Sequence, residues 1–549
     1  MRARRKLARR WEEQNPRTWL HAGKGKGANV AGWKQATAAE LAATMRTSVE
    51  YVQTLLDLVK AFDKVPLWLL VQEAIALGYP LRVLRLSIAT YQLKRVIRVG
   101  RVVSKVVTAV TGITAGSGFA TSEMRLVMVR AIDRAMKLYP AITPTLFVDD
   151  LAAEVCAPPR HAIDQMGGFI EYVAEFVFRT KQALSTTKSN ITASCKGVAD
   201  VLIERWGKKG IVITFKHRVK ALGVGLGAGV RRNATVMRSR LNNFTARLAR
   251  FRRLRKVGVN TARLVRTGLR AMTYSNAILG VPCGLLNSQR SAVAAAAPGA
   301  GTGGQNPDLA LLVADGSKSG RADPAYDAHA LPIGEWAMAI WEGWYPIISL
   351  QRIIDDALRR LEVAKNKWAV CYGPGAALVM TCRRINWTVK SATKLITDTG
   401  ELLDLILDPP KVVVNHVFAA VQRWRWRRVE RQLPRLASSG AGRGPLIEPI
   451  WQLLKPKSKE QNWTAAHKGC LQSVMANRQY TQSRVMQCGW AQHDRCLLCL
   501  SKMVDAESGI QHDRKRTARD VVEATPDQIS RHREVIWCIG SGAAKSPNL

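Results

Sequence analysis

A chain of 549 residues has room for roughly three or four domains, and a hydrophobic fraction of 47% is that of a globular protein, which excludes disordered and fibrous classes. Lys and Arg number 83 against 41 Asp and Glu, a net charge of +42 that exceeds what solubility needs. Such an excess calls for an anionic partner, nucleic acid ahead of a membrane surface, because no apolar run approaches the length of a spanning helix. The ten cysteines are mostly scattered and do not form the framework of a secreted domain. The basic start Met1-Arg2-Ala3-Arg4-Arg5-Lys6 runs into Trp11-Glu12-Glu13 without an apolar core, so it reads as a helix and not a secretory leader. An intracellular location is expected, in the nucleus or in a cytoplasmic ribonucleoprotein.

Taken in order, residues 1–20 form a basic segment with tryptophans. Gly23-Lys24-Gly25-Lys26-Gly27 then makes a cationic loop, suited to approaching phosphate or simply to solvent. Gln35 to Met45 is Ala-rich and helical. Tyr51-Val52-Gln53-Thr54-Leu55-Leu56 reads as an apolar strand closing on Asp57. Pro66 suits the first turn of a helix through Leu70, Ala74 and Leu77, and Gly78 suits its stop. A glycine-rich loop, Gly112 to Thr121, opens a helix from Ser122 to Leu138. Leu146-Phe147-Val148-Asp149-Asp150-Leu151 follows, with two adjacent carboxylates at a bend between short strands. Neighbouring aspartates repel each other and resist burial, so they mark either a solvated turn or a divalent cation site.

The stretch Asp57-Leu58-Val59-Lys60-Ala61-Phe62-Asp63-Lys64-Val65-Pro66 resembles motif A of reverse transcriptases, particularly those of LINE-type (non-LTR) retrotransposons, and Phe147-Val148-Asp149-Asp150 resembles their motif C. Gly112 to Thr121 is similar to motif B, Leu184-Ser185-Thr186-Thr187-Lys188-Ser189 to motif D, and Val219-Lys220-Ala221-Leu222-Gly223-Val224 to the turn called motif E. The order of the set carries the signal. The resemblance implies an α+β right-hand polymerase palm, with an antiparallel sheet backed by helices. It also implies Asp57 and Asp149 as bridging ligands of two Mg²⁺ ions, with Asp150 in support. Phe62 would be the gate against a ribose 2′-hydroxyl, Lys188 the proton donor to pyrophosphate, and Gly116 the close approach to nucleotide and template. Outside that context Phe62 reads as core, Lys188 as a solvated charge and Gly116 as a helix-start turn. Ala115 stands where the family commonly has Gln.

Hard oxygen ligands from separate elements are also what two-metal phosphoryl transfer needs on chemical grounds, with substrate phosphates completing the shells of Mg²⁺. Because 56 residues precede Asp57, residues 1–50 are expected to be a remnant of the fingers in an N-terminally truncated copy, without an endonuclease module.

The palm is expected over 51–230 and a basic, thumb-like helical region over 231–290, where Leu241, Phe244, Leu248 and Phe251 form one stripe. Arg247, Arg250, Arg252, Arg253 and Arg255 surround that stripe, ready to track phosphates. Ala, Gly and Ser make 291–330 a flexible linker, and 331–435 a connection region with a helix from Ile347 to Val363. Asp398-Thr399-Gly400 reads as a hairpin turn, not a protease triplet. Over 411–432, Val417, Val421 and Trp424 share a helix face. Arg423, Arg425, Arg427 and Arg428 lie beside Trp424 and Trp426 and either stack on bases or stand as solvated charges around a packed tryptophan. A second linker spans 436–483. In the final segment, 484–549, Cys496-Leu497-Leu498-Cys499 with His512 is a possible zinc knuckle or an ordinary cysteine pair.

The expected activity is that of an RNA-directed DNA polymerase taking an RNA template, a DNA or RNA primer and dNTPs. The alternative is a catalytically inactive remnant that keeps the fold and the charge. Phe62 disfavours an RNA-templated RNA polymerase.

Overall fold

The computed structural model describes residues 4–23, 26–45, 49–114, 116–257, 259, 261–297, 306–315, 321–432, 448–454, 463–476, 486, 489 and 492–493. Two compact units divide the chain. One is Met1–Ser239, Tyr274–Val281 and Ala330–Val414; the other is Arg240–Thr273, Pro282–His329 and Asn415–Leu549. The fold class is α+β.

The first unit begins with helices α1 (Arg5–Gln14) and α2 (Ala28–Thr44), then strand β1 (Glu50–Leu56) and helices α3 (Leu67–Ala76) and α4 (Leu81–Tyr91). A two-stranded ribbon follows, β2 (Arg98–Val99) and β3 (Val102–Val103), and leads to helix α5 (Ala120–Leu138) and the hairpin β4 (Thr143–Phe147) and β5 (Asp150–Ala157). Helix α6 (Pro159–Arg179), strand β6 (Asn190–Ala193), helix α7 (Lys196–Gly207) and strand β7 (Thr214–Phe215) complete a mixed sheet ordered β4-β5-β1-β6-β7. Strands β8 (Arg218–Ala221) and β9 (Val224–Gly227) form a separate hairpin.

Strand β1 is central and buried on both faces, as a run with no polar alternation dictates. Val52 and Leu56 join the large core shared with α5, α6 and α7, while Tyr51, on the opposite face, packs with Ala39 and Ala42 of α2. The alanines of α2 allow close approach. A Cβ on Gly32 would stand 2.8 Å from the Val224 side chain, so a larger residue would push α2 off the β8–β9 hairpin.

From residues 1–50, expected as a fingers remnant, Ala8, Trp11, Trp19 and Leu20 join this unit's core. Trp11 is buried and donates from Nε1 to the Leu77 carbonyl at 2.8 Å. Glu40 of α2 is fully buried; it accepts from the backbone amides of Gly375 and Ala376 at 2.7 and 3.2 Å and pairs with Arg360 at 3.0 Å. A carboxylate at the amino end of helix Pro374–Arg384 satisfies donors that the helix cannot satisfy itself. Residues 330–414 therefore belong to the same compact unit as the sheet instead of a separate connection region ending at 435. Helix Ile347–Val363 forms with the expected bounds, and Asp398-Thr399-Gly400 is the turn between strands Lys394–Ile396 and Leu402–Asp404.

On the α2 face, the Tyr51 hydroxyl donates to Glu154 at 2.8 Å. Burial pushes the Glu154 carboxyl up from 4.5 to about 7, against the opposing effect of the Tyr51 hydrogen bond. The folded state thus holds a proton that the unfolded chain has released. Stability is fullest below the ordinary carboxylate range and falls as pH rises toward about 7. Glu154→Gln is expected to flatten that slope and to stabilise the protein at about pH 8 by on the order of 2 kcal/mol, read by urea unfolding at about pH 5 and about pH 8.

The second unit packs Leu241, Phe244, Phe251, Val265, Leu269, Met272, Val293 and Leu311 into one core. The expected stripe is thus buried at Leu241, Phe244 and Phe251, with Leu248 partly buried beside them. Arg247, Arg250, Arg252 and Arg253 remain exposed. Arg255 does not: it donates to the carbonyls of Ala295 and Ala297 at 3.1 and 2.7 Å, closing the carboxyl end of helix Cys283–Ala296.

In its described parts the 291–330 segment departs from the flexible linker its composition suggested. It carries helix Pro307–Asp315 and buries Asp308, Asp315 and Asp323. Arg290 pairs with Asp308 and Asp323 at 2.5 and 2.7 Å, and Arg425 with Asp315 and Asp323 at 2.5 and 3.0 Å. Burial would raise Asp323, but Arg290 and Arg425 hold it down at about 2. In the 423–428 run, Trp424 is core, as the packed-tryptophan alternative expects, while Arg425 is a buried ion-pair member and not a solvated charge.

Candidate active site

The register brings the site together. The last pair of β1 with β5 is Leu56↔Leu151, so one further step sets Asp57 opposite Asp150, at the end of the sheet where β4 turns into β5. Phe147 pairs with Asp150, leaving Val148 and Asp149 as a two-residue turn. Val148 has φ +64°, a conformation that a β-branched side chain strongly disfavours, at a strain of about 1–3 kcal/mol. That bend delivers Asp149 beside Asp57.

Asp57 is fixed by the segment 183–189. Its amide donates to the Ser189 hydroxyl at 3.2 Å and its carbonyl accepts from the Ser185 amide at 2.7 Å, while Val59 donates to the Ala183 carbonyl at 2.8 Å. The same segment carries Lys188, whose amide donates to the Ser185 hydroxyl at 3.2 Å. Lys188 Nζ lies 3.5 Å from Asp57 Oδ2, with the lysine 71% exposed and the aspartate 27%. A surface pair of this kind contributes little stability and dissociates readily.

The electrostatics are those of a charge excess. Burial, then the Asp57 charge, push the Asp149 carboxyl up, with Lys188 opposing. Partial burial, then Asp149 and Asp57, push Asp150 up, again with Lys188 opposing. One exposed ammonium faces three carboxylates. Among the described residues no three or more His, Cys, Asp or Glu side chains form a ready-made metal cage. The donors present are hard oxygens in a repelling group, the chemistry that suits Mg²⁺ held by one or two carboxylates with substrate oxygens completing its shell.

Phe62 is half-buried against the main core, and its carbonyl accepts from the Ile113 amide at 2.8 Å. Gly112 donates to the Val65 carbonyl at 2.8 Å, so the glycine-rich loop is laced to the loop after Asp57. Ala115 lies outside the described residues. Gly116 has φ +84°, and among the described residues nothing stands within 4 Å of where a Cβ would be, leaving its backbone open to an approaching ligand.

Sequence reasoning missed what holds that loop. Tyr91 donates to buried Glu123 in the first turn of α5 and lies 2.9 Å from the Ser117 hydroxyl, and Arg95 donates to the Thr114 hydroxyl at 2.8 Å. A glutamate at a helix start was the available signal. Ser185 and Ser189 were missed too, although the Ser-Thr cluster before Lys188 marks a backbone-binding turn.

The 23–27 loop is partly structural. Lys26 donates to the Arg17 carbonyl at 2.9 Å. Burial, then the charges of Arg125 and Lys34, lower its pKa. The adjoining residues Trp19 and His21 hydrogen-bond to Leu146 of β4 at 2.9 Å each, so the segment before the loop pairs with the strand that leads into the Asp149 turn. Burial, then Lys34 and Lys26, hold His21 down at about 4. Cys496, Cys499 and His512 lie outside the described residues. No described helix is long and apolar enough to cross a membrane. The chain matches no protein-family model, and no curated protein matches it.

Proposed function

We propose that the chain is an RNA-directed DNA polymerase of the kind found in LINE-type retrotransposons, adding dNTPs to a primer 3′-hydroxyl. The observation that carries this reading is the convergence of Asp57, Asp149 and Lys188 at one end of the sheet, from three separate elements whose sequences resemble motifs A, C and D. Asp57 and Asp149 would hold Mg²⁺, with Asp150 beside them. When bound, the ions neutralise charge developing on the attacking and leaving oxygens. Lys188 is exposed and only weakly paired, free to swing to the pyrophosphate oxygen and give it a proton. Gly116 presents its open backbone to the incoming nucleotide.

The test is extension of a labelled primer on an RNA template with dNTPs and Mg²⁺, comparing wild type with Asp149→Asn. A wild type that binds the template–primer but adds no nucleotide would sink the reading and leave a binding protein. Phe62, half-buried against the main core with its carbonyl tied to the Ile113 amide, is the gate against a 2′-hydroxyl. Phe62→Val is expected to improve use of ribonucleotides relative to deoxynucleotides by roughly 10- to 100-fold in kcat/KM; unchanged discrimination would leave Phe62 as core only.

A further inference from the structure

Between α4 and the glycine-rich loop, residues 93–110 carry five cations, Lys94, Arg95, Arg98, Arg101 and Lys105, and no carboxylate. The segment folds back as the β2–β3 ribbon, pairing Arg98 with Val103 and Val99 with Val102, with a further bridge between Arg95 and Val107. Ile97, Val99, Val102, Val106 and Val110 are each more than half exposed. A two-stranded ribbon is marginal in water, and apolar side chains open on both of its faces mark an interaction surface.

The ribbon's root lies at the proposed site. Thr111 donates its hydroxyl to the Asp63 carbonyl at 3.2 Å, and Arg95 bonds Thr114 in the loop that carries Gly116. The base of the ribbon is thus tied to the loop after Asp57 and to the loop that carries Gly116.

Charge selects the occupant. A second copy would bring the same five cations against these five and be repelled. An anionic lipid surface matches the charge and the valines, but nothing places lipid at the ribbon's root. Nucleic acid matches both the charge and the position. The ribbon has no aromatic residue, so it is not a platform for stacking unpaired bases. β-Branched side chains instead fit the sugar edges lining the wide, shallow minor groove of an A-form-like duplex, with Arg and Lys reaching the flanking phosphates.

We propose that residues 93–110 form an arm that docks on the minor-groove side of a template–primer duplex beside the Asp57 site. The arm's position rests on the polymerase reading; its partner chemistry rests on its own residues.

The experiment uses the full chain and a fluorescent RNA·DNA hybrid of about 20 base pairs, binding being read by anisotropy across a salt series. The combined variant Arg98→Gln, Arg101→Gln, Lys105→Gln is expected to bind about 10- to 100-fold more weakly at physiological salt and to lower the log–log salt slope by about 2 to 3. Val99→Thr with Val102→Thr keeps the strand preference and the charge; it is expected to weaken binding about 10-fold with the slope unchanged. Hybrid binding equal to wild type in both variants overturns the proposal. So does loss of sedimentation with anionic phosphatidylserine vesicles, or loss of self-association, while hybrid binding persists. If wild type extends primers and the ribbon variants bind normally, the arm fails alone. If wild type extends nothing and the variants still lose hybrid binding, the polymerase reading fails and the arm stands.

Discussion

Asp149→Asn is expected to lower primer extension by on the order of 10³-fold or more while leaving the fold intact. The size follows from the role proposed for the carboxylate: with Asp57 it would supply the ligand charge for ions whose transition-state stabilisation is worth several kcal/mol. The stability of the variant follows from the same geometry. Burial and the Asp57 charge push Asp149 up, so the carboxylate is held against repulsion, and a neutral amide in the turn relieves it. The Asn variant should melt no lower than wild type by circular dichroism. Loss of extension together with retained or raised Tm identifies a functional group; an active Asn variant would remove Asp149 from the site. Lys188→Ala, which leaves the ligands in place, is expected to lose about 10²-fold, the usual contribution of a positioned proton donor.

The largest effect on stability is expected at Arg425. Replacing it with Ala leaves Asp315 without its cation and Asp323 with only Arg290, all three buried. Breaking a buried pair by removing one partner costs about 3–5 kcal/mol, because the buried charge left behind is no longer fully compensated and cannot return to water. Urea unfolding of the full chain at neutral pH measures it. Acid gives an independent check. The folded state holds Asp323 down at about 2 against 3.8 in its absence, so its contribution is present above that ordinary value and is lost as pH falls toward about 2. A variant with wild-type stability would mean that residues 291–330 behave as the linker their composition suggests. That result would also reopen nucleic-acid contact for Arg425.

Much of the site could be read from sequence because its causes are local. A β-branched and leucine-rich run ending in Asp57, a proline before α3, and two carboxylates at a tight bend each act through the backbone preferences of a few neighbouring residues. The motif order then pointed to Lys188, which the fold sets 3.5 Å from Asp57, and to Gly116, whose loop is hydrogen-bonded to the one after Asp57. The residues that were missed act across long separations. Ser189 anchors Asp57 from 132 positions away, and Tyr91 meets Glu123 from 32. Neither side chain shows in sequence whether it faces solvent or a buried acceptor.

The same distinction separates the two units. Apolar periodicity exposed the stripe Leu241, Phe244, Phe251, since burial of a helix face is written into spacing. Charged residues carry no such mark. Arg255 and Arg253 look alike in sequence, yet one closes a helix end and the other stays exposed. Arg425 sits in a run of arginines, and only its pairing with Asp315, 110 residues earlier, takes it out of water. By itself the sequence determined the strand ending on Asp57, the Asp149 turn, the order of motifs and the excess of positive charge. Tertiary structure alone decided which charges are buried, that Glu40 ties α2 to helix Pro374–Arg384, and that among the described residues the β2–β3 ribbon stays exposed. Spacing encodes burial of apolar faces, whereas the fate of a charge depends on partners that only the folded chain brings near.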